Sequence, residues 1–224
     1  MRTSEDPPNL QTAEIFEAQR AAIADVATPL AWLRPSDRDL DRMPVAAAVA
    51  LDTSEIAEAE TPVGRGRVRG LVLHKLMEEI LTGEVADAVQ PLADRAASLL
   101  LELAIDTAES GELPSKDEIA ATAWKTMRLP EIAALRSELV AELPVYGMLG
   151  GAADQTALAG RADAIAVRDA QVSVVVDWKS DVAPTAADVR AHAGQIRHYM
   201  AALNAARGAL VYMTSGAVQW VEAE

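Results

Sequence analysis

The sequence contains no cysteine. This absence excludes disulfide bonds, thiol nucleophiles, cysteine-ligated zinc and iron–sulfur clusters, and it fits the reducing cytoplasm, where we expect the protein. Basic residues are scarce as well, since 20 Lys and Arg face 34 Asp and Glu, which gives a net charge of −14. The overall charge therefore repels nucleic acid and anionic membranes. An anionic substrate would have to be bound by positively charged or hydrogen-bonding groups concentrated at one site.

Long apolar runs and phosphate-binding loops are also lacking. The longest uncharged apolar stretch, near Met43 to Leu51, is far shorter than the ~18 residues of a membrane span, so we expect no membrane partner. No Walker A motif is present, and ATP hydrolysis is not expected of this chain. Apolar residues nevertheless make up 50% of the 224 positions, enough for one core with an appendage.

The composition changes near residue 66. Residues 1–66 resemble a lead or linker, with an acidic start, several prolines, a helix near Thr12 to Val26 and a short helix as an option over Ala46 to Ala50. Three arginines then follow between Gly64 and Gly70, and they suit either a contact with a DNA backbone or a flexible basic linker. We place the main domain at residues 67–224.

The first half of this domain has the pattern of helices. From Leu71 onward, apolar residues recur at helical spacing along one stripe, and Gly83 is expected to end that helix. Three more helices are predicted: Val85 to Thr107, one from the capping box Ser115 to Glu118, and one from Pro130. They indicate a helical layer inserted before the sheet.

The second half alternates strands with one helix. Three strands are predicted, followed by a helix and one or two further strands: Val140 to Leu149, Leu158 to Val167, Val172 to Lys179, Asp188 to Leu203, Ala209 to Met213 and Val218 to Val221. Residues Arg168 to Gln171 suit a hairpin turn. The run Val174 to Val176 predicts a strand covered on both faces.

Two acidic residues and a lysine stand out in these strands. A turn centred on Ala170 would place Asp163 opposite Asp177, with Lys179 on the same face. Like charges at opposed positions destabilise a hairpin, and a divalent metal is the simplest compensating cation. The alternative is that these residues are polar strand ends, with Lys179 neutralising Asp177 at the surface.

Four separated segments carry a resemblance to a known family. They are Arg69-Gly70-Leu71-Val72-Leu73-His74, Gly160-Arg161-Ala162-Asp163, Val176-Asp177-Trp178-Lys179 and Gln195-Ile196-Arg197-His198-Tyr199. In this order they resemble the PD-(D/E)XK nucleases, in particular the RecB-like exonuclease branch found at the C-terminal ends of bacterial helicase–nucleases. The family commonly has Glu where this chain has Asp177, a departure that the RecB-like branch shares.

The resemblance implies a set of site residues. His74, Asp163 and Asp177 match metal ligands, and the backbone carbonyl of Trp178 would complete the shell around the ion. Lys179 matches the lysine that gives the motif its last letter. Histidine and carboxylate ligands suit Mg²⁺ or Mn²⁺.

Five further residues are candidates for supporting roles. Gln195 and Tyr199 match a segment that steadies the active site or the DNA backbone in the family. Glu142 resembles an acid on the first strand. Glu78, one helical turn beyond His74, and Arg161, beside the first strand acid, complete the candidates.

The implied fold is α/β and restriction-endonuclease-like, with an αβββαβ core, a mixed sheet, the inserted helical layer and the helical lead. The implied function is metal-dependent hydrolysis of DNA at a single- or double-stranded end, as an exonuclease acting with a helicase domain or subunit in DNA repair or recombination. Two alternatives stay open. One is a catalytically inactive module that docks DNA ends or protein, and the other is a stand-alone endonuclease such as a junction resolvase.

Overall fold

The computed structural model of the chain describes residues 13–26, 31–35, 66–107, 114–150 and 155–223. The chain divides into two compact units, Met1–Ala31 and Trp32–Glu224. In the first unit, helix α1 (Ala13–Val26) confirms the helix expected from Thr12. The short helix considered over residues 46–50 lies outside the described residues.

Five helices lie in the described part of the second unit: α2 (Arg67–Thr82), α3 (Val89–Thr107), α4 (Lys116–Thr126), α5 (Pro130–Leu135) and α6 (Ala186–Leu203). α2 begins at Arg67, so the arginine segment is partly helical, and Gly83 ends it in the left-handed conformation as expected. α3 begins at Val89 and not at the predicted Val85. Pro91 explains the difference, since proline fits the first turn of a helix but breaks its interior.

The caps of two helices differ from expectation. Ser115 accepts a hydrogen bond from the backbone N–H of Glu118 and so caps α4, but the Glu118 carboxylate is bound by Arg69 instead of closing the predicted capping box. α6 begins behind a complete capping box formed by Thr185 and Asp188, and therefore starts two residues before the predicted Asp188. None of the described helices combines the length and apolar character needed to cross a membrane.

The described strands form one six-stranded sheet: β1 (Ala31–Leu33), β2 (Leu139–Leu149), β3 (Thr156–Arg168), β4 (Gln171–Lys179), β5 (Arg207–Tyr212) and β6 (Ala217–Glu222). The main path runs β1-β3-β4-β5-β6, and β2 also pairs with β3. β4 and β5 are parallel, whereas β2–β3, β3–β4 and β5–β6 are antiparallel. The connection between the parallel strands contains α6, as parallel pairing requires a crossover. The predicted mixed α/β fold, with its αβββαβ order and inserted helices, is confirmed.

The β3–β4 hairpin settles the register of the two candidate acids. Its turn is Asp169-Ala170, both with positive φ as in a two-residue hairpin loop, so it closes one residue earlier than a turn centred on Ala170. A bulge at Ser173 then adds one residue to β4, and the pair Ala164↔Val176 restores the expected register. The bulge therefore compensates for the shorter turn.

The sheet is covered on both sides. On one side, here called the α2 side, Val176, Trp178 and Val211 pack with Leu73 and Leu76 of α2 and with the inserted helices. On the other, the α6 side, Val175, Leu210 and Tyr212 pack with Val189 and Ile196 of α6. β4 is thus buried on both faces, as its run of valines predicted.

Candidate active site

The candidate acids lie where β3 and β4 part. The last ladder pair between these strands is Ala164↔Val176, and Asp163 and Asp177 occupy the next step. There the backbone N–H of Trp178 donates to Asp163 Oδ2 at 2.8 Å, so a side-chain carboxylate takes the place of a backbone acceptor. The carboxylate of Asp163 therefore points into the gap between the two strands.

Glu142 interrupts the side-chain alternation of β2. It falls between the pairs Ala141↔Ala164 and Leu143↔Ala162, opposite Asp163, and its φ of 54° is uncommon for a residue other than glycine. Leu139 packs on the α2 side and Val145 on the α6 side, although both are odd-numbered, so the alternation of the strand reverses at this point. The strained position sits beside the candidate site, where such conformations cluster.

His74 approaches Asp163 from α2. Its neighbours Leu73, Leu76 and Met77 are buried, and this places His74 at the edge of the buried stripe. Its Nδ1 lies 3.6 Å from Asp163 Oδ2, a close charge contact that is too long for a hydrogen bond. Burial alone would lower the pKa of His74, but the Asp163 carboxylate outweighs burial and raises it.

Lys179 connects Asp177 to α6. Its Nζ lies 2.7 Å from Asp177 Oδ2 and donates a hydrogen bond to Gln195 Oε1 at 2.9 Å. The contact with Asp177 is an ion pair without hydrogen-bond angles, since Asp177 Oδ2 has no hydrogen-bond partner. Asp177 and Lys179 are two residues apart and face α6, whereas Asp163 points into the gap; the expectation that all three share one face is therefore only partly met.

The two carboxylates differ in how readily they ionise. Burial, opposed by the charge of Lys179 and aided by that of Asp163, raises the pKa of Asp177 to about 6. Burial also tends to raise the pKa of Asp163, but His74 and the N–H of Trp178 overcome it and lower the pKa. A pair of acids whose pKa values diverge in this way is typical of a functional site.

The donor atoms fit a hard divalent ion, although no closed cage is formed. Among the described residues, no group of three or more His, Cys, Asp or Glu side chains is close enough to hold a metal ion. Asp163 Oδ2 is occupied by the N–H of Trp178 and Asp177 Oδ2 by the charge of Lys179. Still, Asp177 Oδ2 accepts no hydrogen bond despite its ion pair with Lys179. The charges of His74 and Asp163 act on it from nearby, and this donor set suits Mg²⁺ or Mn²⁺.

Tyr199 supports β3 from the α6 side. It is fully buried, and its hydroxyl accepts a hydrogen bond from the backbone N–H of Arg161 at 3.3 Å. A Cβ at Gly160 would lie 2.5 Å from that hydroxyl, so the close approach requires glycine. Tyr199 thus lies behind β3, on its α6 side.

Arg161 and Glu78 flank the site. Arg161 Nη1 donates to Glu142 Oε2 at 2.7 Å, which couples two of the predicted candidates across β2 and β3. Glu78 accepts a hydrogen bond from Lys75 Nζ at 2.8 Å on its own helix. The structure thus brings together His74 with Asp163, Asp177 with Lys179 and Gln195, and Arg161 with Glu142, while their roles stay predictions.

Arg69 joins α2 to α4 and to the end of β4, a contact that the sequence did not predict. It is only 1% exposed, and its Nε and Nη2 donate to the Glu118 carboxylate at 3.0 and 2.7 Å. Its Nη1 donates to the carbonyl oxygen of Ser180, directly after Lys179. For Arg69, both expectations, a DNA contact and a flexible linker, are therefore wrong. The signal was its helical spacing from Val72 and Leu73, which places it on the buried stripe of α2.

Replacing Glu118 tests how much this contact stabilises the domain. We expect Glu118→Gln to lower the free energy of unfolding at pH 7 by roughly 2 to 4 kcal/mol, because it leaves a buried guanidinium without its counter-charge. Urea denaturation measures the change. Asp117→Asn, an exposed acid in the same helical turn, is the control, with a loss below about 1 kcal/mol.

The effect of Glu118→Gln also has a defined pH dependence. Burial raises the pKa of Glu118, but Arg69 and Thr122 outweigh it and lower the pKa below the ordinary 4.5. The stabilisation is therefore complete above that value and is lost as the pH falls through the folded-state pKa. An equal difference between wild type and variant at pH 7 and pH 3 would contradict the ion pair as its source.

His192 is a second residue near the site without a predicted role. It precedes Gln195 by one turn of α6, and its Nδ1 lies 3.3 Å from the Tyr212 hydroxyl. Burial, aided by the charge of Lys179, lowers the pKa of His192 to about 4. His192 is accordingly neutral at pH 7 and adds no second positive charge beside Lys179.

Comparison with known proteins agrees with the motif order. A structure described as "Crystal structure of SSO0001" is similar to this chain at 19% sequence identity and a TM-score of 0.36, covering 70% of this chain and 79% of that chain; a likeness at this level supports no conclusion. A search of curated proteins finds no significant match. The family model of the PD-(D/E)XK nuclease superfamily, however, matches residues 47–222. Because this match spans most of the sequence, the chain belongs to the PD-(D/E)XK nuclease superfamily.

Proposed function

We propose that this protein is a divalent-metal-dependent DNA nuclease that hydrolyses phosphodiester bonds. The observation that carries the proposal is that Asp163 and Asp177 stand at the same step, where β3 and β4 part, with His74 3.6 Å from Asp163 and Lys179 2.7 Å from Asp177. Membership of the superfamily supports a nuclease. The burial of both acids agrees with this proposal, because purely structural surface charges would not be buried in this way.

His74, Asp163, Asp177 and the carbonyl of Trp178 are the groups that would hold the ion. A bound Mg²⁺ or Mn²⁺ supplies Lewis-acid polarisation of a phosphoryl oxygen and lowers the pKa of a bound water. Because Gln195 holds its Nζ, Lys179 presents a fixed positive charge that orients the attacking water and offsets negative charge in the transition state. Tyr199 keeps the backbone of β3 in place through Arg161.

We further propose the RecB-like branch, exonuclease action on DNA ends and cooperation with a helicase in repair or recombination. The support is the combined motif order and the net charge of −14. An acidic protein gains little affinity from phosphate contacts, so delivery of the strand by another domain or subunit is a natural arrangement. A platform that docks DNA ends or protein without cleavage is the main rival, and a stand-alone endonuclease is the second.

A cleavage assay separates these functions. Labelled linear single strands, linear duplexes and circular DNA are incubated with the protein in Mg²⁺, in Mn²⁺ and in EDTA. We expect metal-dependent shortening of linear substrates only, and cuts in circular DNA would indicate an endonuclease instead. Metal binding is followed separately by the rise in melting temperature with Mn²⁺, which we expect for wild type and not for His74→Ala.

Absence of cleavage on every substrate would reject the nuclease. If Mn²⁺ still stabilised the protein, the docking platform would be favoured. If Mn²⁺ raised the melting temperature of neither wild type nor His74→Ala, the metal site itself would be rejected. His198→Ala serves as the control for loss of a histidine, because His198 plays no part in the proposed site.

A further inference from the structure

Among the residues that the structure describes, none covers one face of the β2–β3 hairpin beyond Glu142. Leu143 and Val145 pack on the α6 side, and a Cβ at Gly147 would contact Ala202 of α6. Because side chains alternate along a strand, the intervening residues of β2 point to the α2 side. These residues are Pro144, Tyr146 and Met148, and all three are exposed.

The open face carries an aromatic ring and a positive charge. Tyr146 is 77% exposed and Met148 50%, which is unusual for apolar side chains of this size in a strand. Arg161 lies opposite Pro144 on β3, and 64% of its side chain is exposed. We call the surface formed by Pro144, Tyr146, Met148 and Arg161 the hairpin face.

The hairpin face runs directly into the candidate active site. Arg161 is two residues before Asp163, on the same side of the sheet from which His74 contacts that carboxylate. Tyr146 pairs with Ala159, which precedes Asp163 by four residues on β3. At about 3.3 Å per residue, the backbone at this pair lies about 13 Å from that of Asp163. A stacked DNA strand with a spacing of about 3.4 Å covers this distance with about four nucleotides.

The chemistry of the hairpin face matches unpaired nucleotides. The net charge of −14 makes phosphate attraction a weak source of affinity, so a strand near the site has to be held by other contacts. An exposed aromatic ring supplies stacking, which works with any base but requires that the base is not already stacked in a duplex. An arginine beside it can turn from Glu142 to a backbone phosphate.

We propose that Tyr146 is a base-stacking residue that selects single-stranded DNA, with Arg161 contacting the phosphate nearer to the site. This inference rests on the proposed nuclease function and names the form of substrate that the site accepts. Stacking on Tyr146 positions the strand and excludes an intact duplex from the same path. The competing occupant of the hairpin face is a protein partner, which the test distinguishes.

The test measures binding in EDTA, where no metal-dependent cleavage occurs. Fluorescein-labelled single-stranded oligo(dT) and a duplex of equal length are titrated with wild type, Tyr146→Ala and Tyr146→Trp at low salt, and anisotropy reports the dissociation constant. We expect Tyr146→Ala to weaken single-strand binding about ten-fold, Tyr146→Trp to bind at least as tightly as wild type, and duplex binding to change less than two-fold. Leu101→Ala, an exposed apolar residue on α3, is the control without effect.

Three other results are distinguishable in this experiment. Equal single-strand binding by wild type and Tyr146→Ala, or equal loss for single strand and duplex, would overturn the stacking role. A change in self-association of Tyr146→Ala by sedimentation, without a change in DNA binding, would overturn it in favour of a protein interface. If Tyr146 governs single-strand binding but wild type never cleaves, the proposed function fails while the stacking site stands.

Discussion

Lys179→Ala is expected to lower the rate of DNA cleavage by at least about a hundred-fold, the cost of removing one preorganised charge aimed at the transition state. Its Nζ lies 2.7 Å from Asp177 and is held by Gln195, so water cannot replace it with the same geometry. Single-turnover cleavage of a labelled single strand with saturating Mn²⁺ measures the effect. Lys179→Arg should not restore the rate, because the planar guanidinium does not fit a site shaped for an ammonium.

Two controls separate chemistry from folding in the Lys179→Ala experiment. Lys116→Ala removes an exposed lysine on α4 and should cleave at the wild-type rate. Circular dichroism establishes that Lys179→Ala is folded, since the substitution leaves Asp177 buried without its cation. A folded Lys179→Ala protein that cleaves at the wild-type rate would remove Lys179 from the catalytic residues.

Asp177→Asn is expected to abolish cleavage and, at the same time, to stabilise the protein. Burial raises the pKa of Asp177 to about 6, above its ordinary value of 3.8. Keeping this group ionised therefore costs stability at neutral pH, on the order of 1 to 3 kcal/mol. A neutral amide of the same shape removes that cost, and the gain survives the loss of the ion pair because the raised pKa already includes the attraction of Lys179, unlike the lowered pKa of Glu118. Urea denaturation at pH 7.5 should show the gain.

The pH dependence of this gain has a definite sign. For an acid with a raised pKa, the penalty is largest above the folded-state value and disappears once the group is protonated in both states. The advantage of Asp177→Asn should thus be full above pH 7, decline between pH 6 and pH 4, and vanish only once the pH is well below the ordinary value of 3.8. Asp94→Asn, an exposed acid on α3, should show no such profile, and an Asp177→Asn protein less stable than wild type at pH 7.5 would contradict the prediction.

Local patterns predicted the elements that bear the site. The run Val174 to Val176 followed by Asp177 predicted a buried strand ending in a charge, and the helical spacing of Leu73, Leu76 and Met77 predicted the stripe beside His74. Both signals depend on residues close in sequence, where side-chain period and chain geometry are coupled. The superfamily inferred from the motif order is confirmed by the family match.

These local patterns could not predict contacts between residues that are distant in the sequence. Arg69 belongs to a cluster of basic residues in sequence, yet Glu118 and the carbonyl of Ser180 bury it completely. No periodicity reveals that partner, because it lies on another helix 49 positions away. The bulge at Ser173 is similar: it matters only because the turn before it is one residue shorter than expected.

The sequence by itself determined the order of helices and strands, the kinds of residue available for chemistry and the family to which they point. Only the tertiary structure decided that Asp163 turns into the gap between the strands, that Lys179 is held by α6 and that Tyr146 stands open beside the site. The physical reason is that secondary structure follows from short-range periodicity. Charge, burial and exposure at one position depend instead on which distant elements pack against it.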